Sequence, residues 1–142
     1  MSKVNDSVFV YNTVREDTEQ PFAPVQDVFL NIVDWGIRKT LKNCIDTVDL
    51  LQYTEDKGDL FYDYDVETKK VSDDTEGSYH SVTHEVVAII EFRDSKGDLV
   101  SKHHSVICRV SFDGNDVSMD NLVSINHCIE RFVNEVVKHL SQ

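Results

Sequence analysis

Two runs rich in strand-favouring residues, Ser81 to Phe92 and Leu99 to Phe112, flank the six residues Arg93-Asp94-Ser95-Lys96-Gly97-Asp98. If Ser95, Lys96 and Gly97 form a three-residue loop with Gly97 in the left-handed conformation, Asp94 lies opposite Asp98. Phe92 then faces Val100, Val86 faces Val106 and His84 faces Cys108. In that register Val86, Ala88, Ile90, Phe92, Val106, Cys108, Val110 and Phe112 share one face. Turn chemistry and apolar parity agree, and together they predict an antiparallel hairpin. The opposite face carries Val87, Ile89 and Ile107 among Glu85, Glu91 and Arg109, a mixed patch of the kind expected at a subunit or partner contact.

The segments around the hairpin supply the other layers. Ser7 to Val14 reads as a first strand and Leu60 to Glu67, with alternating aromatic and acidic residues, as a second. Between them Val25, Val28, Phe29, Ile32, Ile37, Leu41, Cys44, Ile45, Val48 and Leu51 follow helical spacing, which predicts a long amphipathic helix over Val25 to Tyr53 with Pro24 in its first turn. Gly36 interrupts this stripe, which suggests a bend or a close packing contact. Asp113 to Asp116 is expected to end the sheet. Ser118 can then cap a last helix reaching about Leu140, with Asp120 in its first turn and Leu122, Ile125, Ile129, Phe132, Val133, Val136 and Leu140 buried. Arg131 and Glu135 fall on its wet side. The expected fold is α+β: an antiparallel sheet of about four strands with two long helices on one face, in the order β-α-β-β-β-α.

A chain of 142 residues with 40% apolar residues suits one domain, residues 1–142, with a single core. Cys44, Cys108 and Cys128 are odd in number and sit among apolar neighbours, so they read as reduced core residues. Met1 to Ser7 has no secretory pattern and no stretch approaches a bilayer span, which gives the expectation of a soluble, cytoplasmic protein.

Charge is unevenly spread. Thr54 to Glu85 holds ten carboxylates against Lys57, Lys69 and Lys70, or −7 of the chain's −12. A folded surface of that kind repels nucleic acid and anionic lipid and attracts basic partners. The only basic cluster, Arg38, Lys39 and Lys42, lies on a helix flanked by acid, and the five glycines form no phosphate loop. Direct nucleic-acid or membrane binding is therefore not expected.

Chemistry-bearing constellations are weak. His80, His84, His103 and His104 lie in the hairpin, and the register places His84 beside Cys108, but no paired Cys or His spacing typical of zinc accompanies them. Asp63-Tyr64-Asp65 and Asp113-Gly114-Asn115-Asp116 do not continue into a calcium loop. A nucleophile would need an activated thiol, and Cys108 with His84 falls on the core face, where a buried thiol is inert. No catalytic, metal or cofactor residue is assigned.

The succession LFYDYDVETKKVSDD, HEVVAIIEF, a short turn, VICRVSF and a long C-terminal helix, over about residues 59 to 140, resembles the SecB-type export chaperones. Those are acidic and built from an antiparallel sheet backed by helices; this chain differs in placing a long helix between its first two strands. The resemblance implies apolar grooves for extended chains and an acidic sheet for a basic partner.

The expected function is a non-enzymatic protein-binding module, chaperone or adapter, that engages a basic protein partner through Asp59, Asp63, Asp65, Glu67, Asp73, Asp74 and Glu76, with Val87, Ile89 and Ile107 as an apolar contact and homo-oligomerisation open. The alternative is a small acidic inhibitor of the kind carried by phages and mobile elements, occupying the nucleic-acid groove of a DNA- or RNA-binding enzyme.

Overall fold

The structure, a computed structural model, describes residues 22–52, 59–76, 79–114, 116–121 and 124–141. It opens with α1 (Phe22–Val48), followed by strands β1 (Leu60–Glu76), β2 (Tyr79–Asp94), β3 (Leu99–Asp113) and β4 (Asp116–Met119), and closes with α2 (Ile125–Leu140). The strands form one antiparallel meander in the order β1-β2-β3-β4. The fold is the expected α+β arrangement, but its fourth strand is the short β4. The expected strand at Ser7 to Val14 lies outside the described residues.

Pro24 is the third residue of α1, where the missing N–H removes no helical bond. Ile37, Leu41 and Ile45 form the buried stripe, flanked by Phe29, Leu30, Val33, Cys44 and Val48. The helix ends earlier than the spacing suggested, because Asp49 adopts a left-handed backbone (φ 53°). That turn carries Leu50 into the core and leaves Leu51 outside, the reverse of the expected Leu51. Val25 and Ile32, also read as core, lie on the exposed side with Trp35, whose ring carries the Lys39 ammonium 5.0 Å from its centre. A Cβ on Gly36 would meet nothing within 4 Å, so no close approach requires that glycine.

The β2–β3 turn is as expected. Gly97 has φ 85°, its N–H donates to Asp94 O at 2.9 Å, and Asp94 N–H donates to Asp98 O at 3.0 Å. Beyond the turn the register departs from the simple hairpin at two bulges. Arg93 pairs with Leu99 but Phe92 with Ser101, so Val100 is extra. Val87 pairs with Val106 but Val86 with Cys108, so Ile107 is extra. An extra residue reverses side-chain parity. Ser101, His103 and Ser105 therefore lie opposite Phe92, Ile90 and Ala88, and Val106 leaves the core face, 39% exposed. The second bulge restores parity for Cys108, Val110 and Phe112, which are buried, and seats Ile107 itself in the core.

The C-terminal helix differs from expectation at its start. Ser118 belongs to β4, and α2 begins at Ile125 with Ser124 at the N-cap, whose side chain makes no capping bond. Asp120 instead holds β4 to β3: its carboxylate accepts from Arg109 N–H, while its own N–H donates to Arg109 O at 3.1 Å. Ile129, Phe132, Val133, Val136 and Leu140 pack inward as read. One apolar cluster joins both helices to the same sheet face, leaving the other face without a covering element among the described residues.

Candidate functional site: an acidic basin on the open sheet face

Strand alternation builds the site. Tyr62, Tyr64 and Val66 of β1 turn toward the helices and pack at the core, so Asp63, Asp65 and Glu67 turn outward and are exposed. Asp63 and Asp65 pair in register with Glu91 and Ile89 of β2, and Glu67 with Val87. Asp63, Asp65, Glu67, Ile89, Glu91 and Lys102 line a basin of about 270 Å³.

The carboxylates of the basin differ in their partners. Glu91 is balanced by Arg93 at 3.3 Å and Lys102 at 3.8 Å. Asp65 accepts from Arg38 Nη1 at 2.6 Å. Asp63 and Glu67 make no ion pair among the described residues, so their charge is available to a ligand.

The outer edge of β1 is closed by side chains from β1 and from α1. Asp63 accepts from Tyr64 N–H at 3.0 Å, Asp65 from Val66 N–H at 2.8 Å, and Arg38 donates to Val66 O at 3.0 Å. These contacts occupy backbone groups that would otherwise invite a further strand. Burial disfavours the Arg38 charge, but the bonds to Asp65 and Asp34 outweigh it and raise its pKa.

The other expected partner residues are dispersed. Asp59 precedes β1 and is exposed, and Asp74 is exposed beyond the bulge at Lys70/Ser72. Glu76 ends β1. Asp73 shares the register position of Val82 on the helix side, where His80 at 2.8 Å and Lys70 at 3.1 Å bond its carboxylate and hold its pKa below the usual range. The apolar patch is also rearranged. Val87 and Ile89 lie on the open face but are only 3% and 5% exposed, and Ile107 is a core residue at the bulge. The apolar surface accessible on this face comes instead from Phe61 and Val106, 61% and 39% exposed.

The two bulges also separate His84 from Cys108: His84 pairs with Val110 and meets Phe112 edge-on at 6.0 Å. Burial lifts the Cys108 thiol to about 11, and the described residues hold no group of three or more His, Cys, Asp or Glu able to bind a metal ion. No described helix is long and apolar enough to cross a membrane.

Sequence reading missed Arg38 and Lys102 as members of this surface. Arg38 follows Asp34 by one helical turn, a visible signal, but its reach to β1 depends on helix placement. Lys102 reaches Glu91 in a register set by the Val100 bulge. No family model, curated protein or solved structure matches the chain.

Proposed function

We propose that this chain is a non-enzymatic protein-binding module, of the adapter kind, whose open sheet face receives a basic segment of a partner protein. The observation that carries the reading is the basin on that face, where Asp63 and Glu67 stand exposed and make no ion pair among the described residues while the neighbouring Asp65 and Glu91 are already paired. An exposed pair contributes roughly 0.2–1 kcal/mol, so recognition requires several such contacts and weakens with salt.

Two features favour an adapter over its rivals. A client-binding chaperone related to the SecB type needs accessible apolar grooves, whereas Val87 and Ile89 are screened on this face. A nucleic-acid mimic needs dense charge. Alternate residues on a strand are about 6.8 Å apart, whereas duplex DNA presents one charge per roughly 1.7 Å. The row Asp63, Asp65, Glu67 is about fourfold sparser.

Binding of an Arg- and Lys-rich peptide, followed by titration calorimetry at low and high salt, tests this. Replacing Asp63 and Glu67 by Asn and Gln should weaken binding by about two- to thirtyfold, from roughly 0.4–2 kcal/mol of lost pairing. Affinity unchanged by the double substitution, or insensitive to salt, would remove the basis of the reading.

A further inference from the structure

Although the sequence contains no basic run beyond α1, the fold assembles cations from two distant segments, β3 and α2, at the β3 edge of the sheet. A groove of about 610 Å³ lies between the outer edge of β3 and α2. Lys102 and His104 come from β3, and Arg131, Lys138 and His139 from α2. Three fixed cations face one lining carboxylate, Glu135, in a chain whose net charge is −12.

We propose that this groove binds an extended, acidic segment of a partner protein, which joins the sheet as a strand beside Lys102 to Val106. It is a second surface, of opposite sign to the basin, and the two share Lys102.

Edge chemistry supports a strand as the occupant. Among the described residues, β3 from Leu99 to Val106 pairs only with β2, whereas β4 continues the sheet beside Val110 to Asp113. An incoming strand would extend the row that β4 begins. The outward groups nearest β4 are satisfied, since Arg109 N–H and O bond Asp120 and Ile107 O accepts from Asn121 Nδ2 at 3.2 Å. The β1 edge is closed by Asp63, Asp65 and Arg38; no comparable set of side chain to backbone bonds closes β3 between Lys102 and Val106 among the described residues. An open edge beside a helix is a recurrent peptide-binding geometry, in which main-chain bonds supply affinity and flanking side chains supply specificity.

Side-chain chemistry supports an acidic occupant. Arg131 is exposed and makes no ion pair among the described residues. Lys138 and Lys102 reach their carboxylates only at 3.8 Å. The His139 ring stacks edge-on against His103, 4.8 Å between centres, which fixes one end of the groove. Val106, which the Val100 bulge turns out of the core, adds apolar surface along the edge. An alternating apolar and acidic strand matches this lining.

The test uses the full chain and a labelled peptide of about six residues alternating Val and Glu. Anisotropy should show saturable binding below about 1 mM. Binding should fall by about tenfold or more in Arg131→Glu/Lys138→Glu, both at exposed positions, and by a similar factor when alternate peptide amides are N-methylated. Amide exchange at Lys102 to Val106 should slow on binding. The proposal is overturned if the peptide does not bind, if N-methylation leaves affinity unchanged, or if those amides are not protected. Equal binding of a single-stranded oligonucleotide or inorganic phosphate would show a simple anion site and overturn it as well.

Discussion

Arg38 ties α1 to the outer edge of β1, and its replacement gives a measurable test of how that edge is held. Its guanidinium meets Asp65 at 2.6 Å, Val66 O at 3.0 Å and Asp34 at 3.3 Å. The Arg38 side chain is 27% exposed and that of Asp65 57%, so solvent screens the ion pairs, each worth roughly 0.2–1 kcal/mol. A charge-assisted bond to a half-buried carbonyl adds a further fraction of its usual 1.5–3 kcal/mol, giving about 1–2 kcal/mol in all. Arg38→Met keeps the aliphatic stem packed and removes only the head group. At about 2–4 °C per kcal/mol for a domain of this size, its melting temperature should fall by about 2–8 °C. Arg38→Lys keeps the charge but not the planar fork that spans three acceptors, and should lie between. Circular dichroism reads the melting point, and light scattering reads self-association through the opened edge. A melting temperature within about 1 °C of the parent, with no added association at high concentration, would refute the reasoning.

Gly36 lies inside α1 with open space around the position a Cβ would take, so Gly36→Ala should raise stability by about 0.5–1 kcal/mol in denaturant titration. A loss would show that the glycine serves a conformational need. Burial, with Lys70 for His84 and His139 for His103, holds both imidazoles below their usual pKa. The unfolded chain, titrating near 6.5, takes up these protons first as pH falls, so the stability they contribute is full above about 6.5 and declines below it. Melting between pH 8 and 5.5 should show this decline, with a shallower slope in His84→Asn/His103→Gln; equal slopes would assign it to other groups.

Local chemistry specifies the elements more readily than their offsets. Gly97 and Asp94 specify the turn, and parity along β2 identifies its core residues without reference to a partner strand. On β3 the same parity argument fails, because Val100 and Ile107 are extra residues in the pairing with β2 and each reverses the alternation that follows it. Val106 was therefore read as core and Ile107 as surface. The Asp63, Asp65, Glu67 row was legible because aromatic and acidic residues alternate on one strand. The shielding of Val87 and Ile89 was not, since both sit on a central strand whose two neighbours are fixed only by the fold. The β4 strand was hidden by its length and by Ser118, which resembles a helix cap in isolation. The β3/α2 groove joins segments some thirty residues apart and needs the fold to exist.

Backbone amide chemical shifts, recorded on the full chain, can map where an Arg- and Lys-rich peptide binds. Binding at the basin should concentrate the shifts at Asp63, Asp65, Glu67 and Glu91, and Asp63→Asn/Glu67→Gln should abolish them. Shifts of equal size at carboxylates throughout the chain, such as Asp46, Asp113 and Glu130, would contradict it.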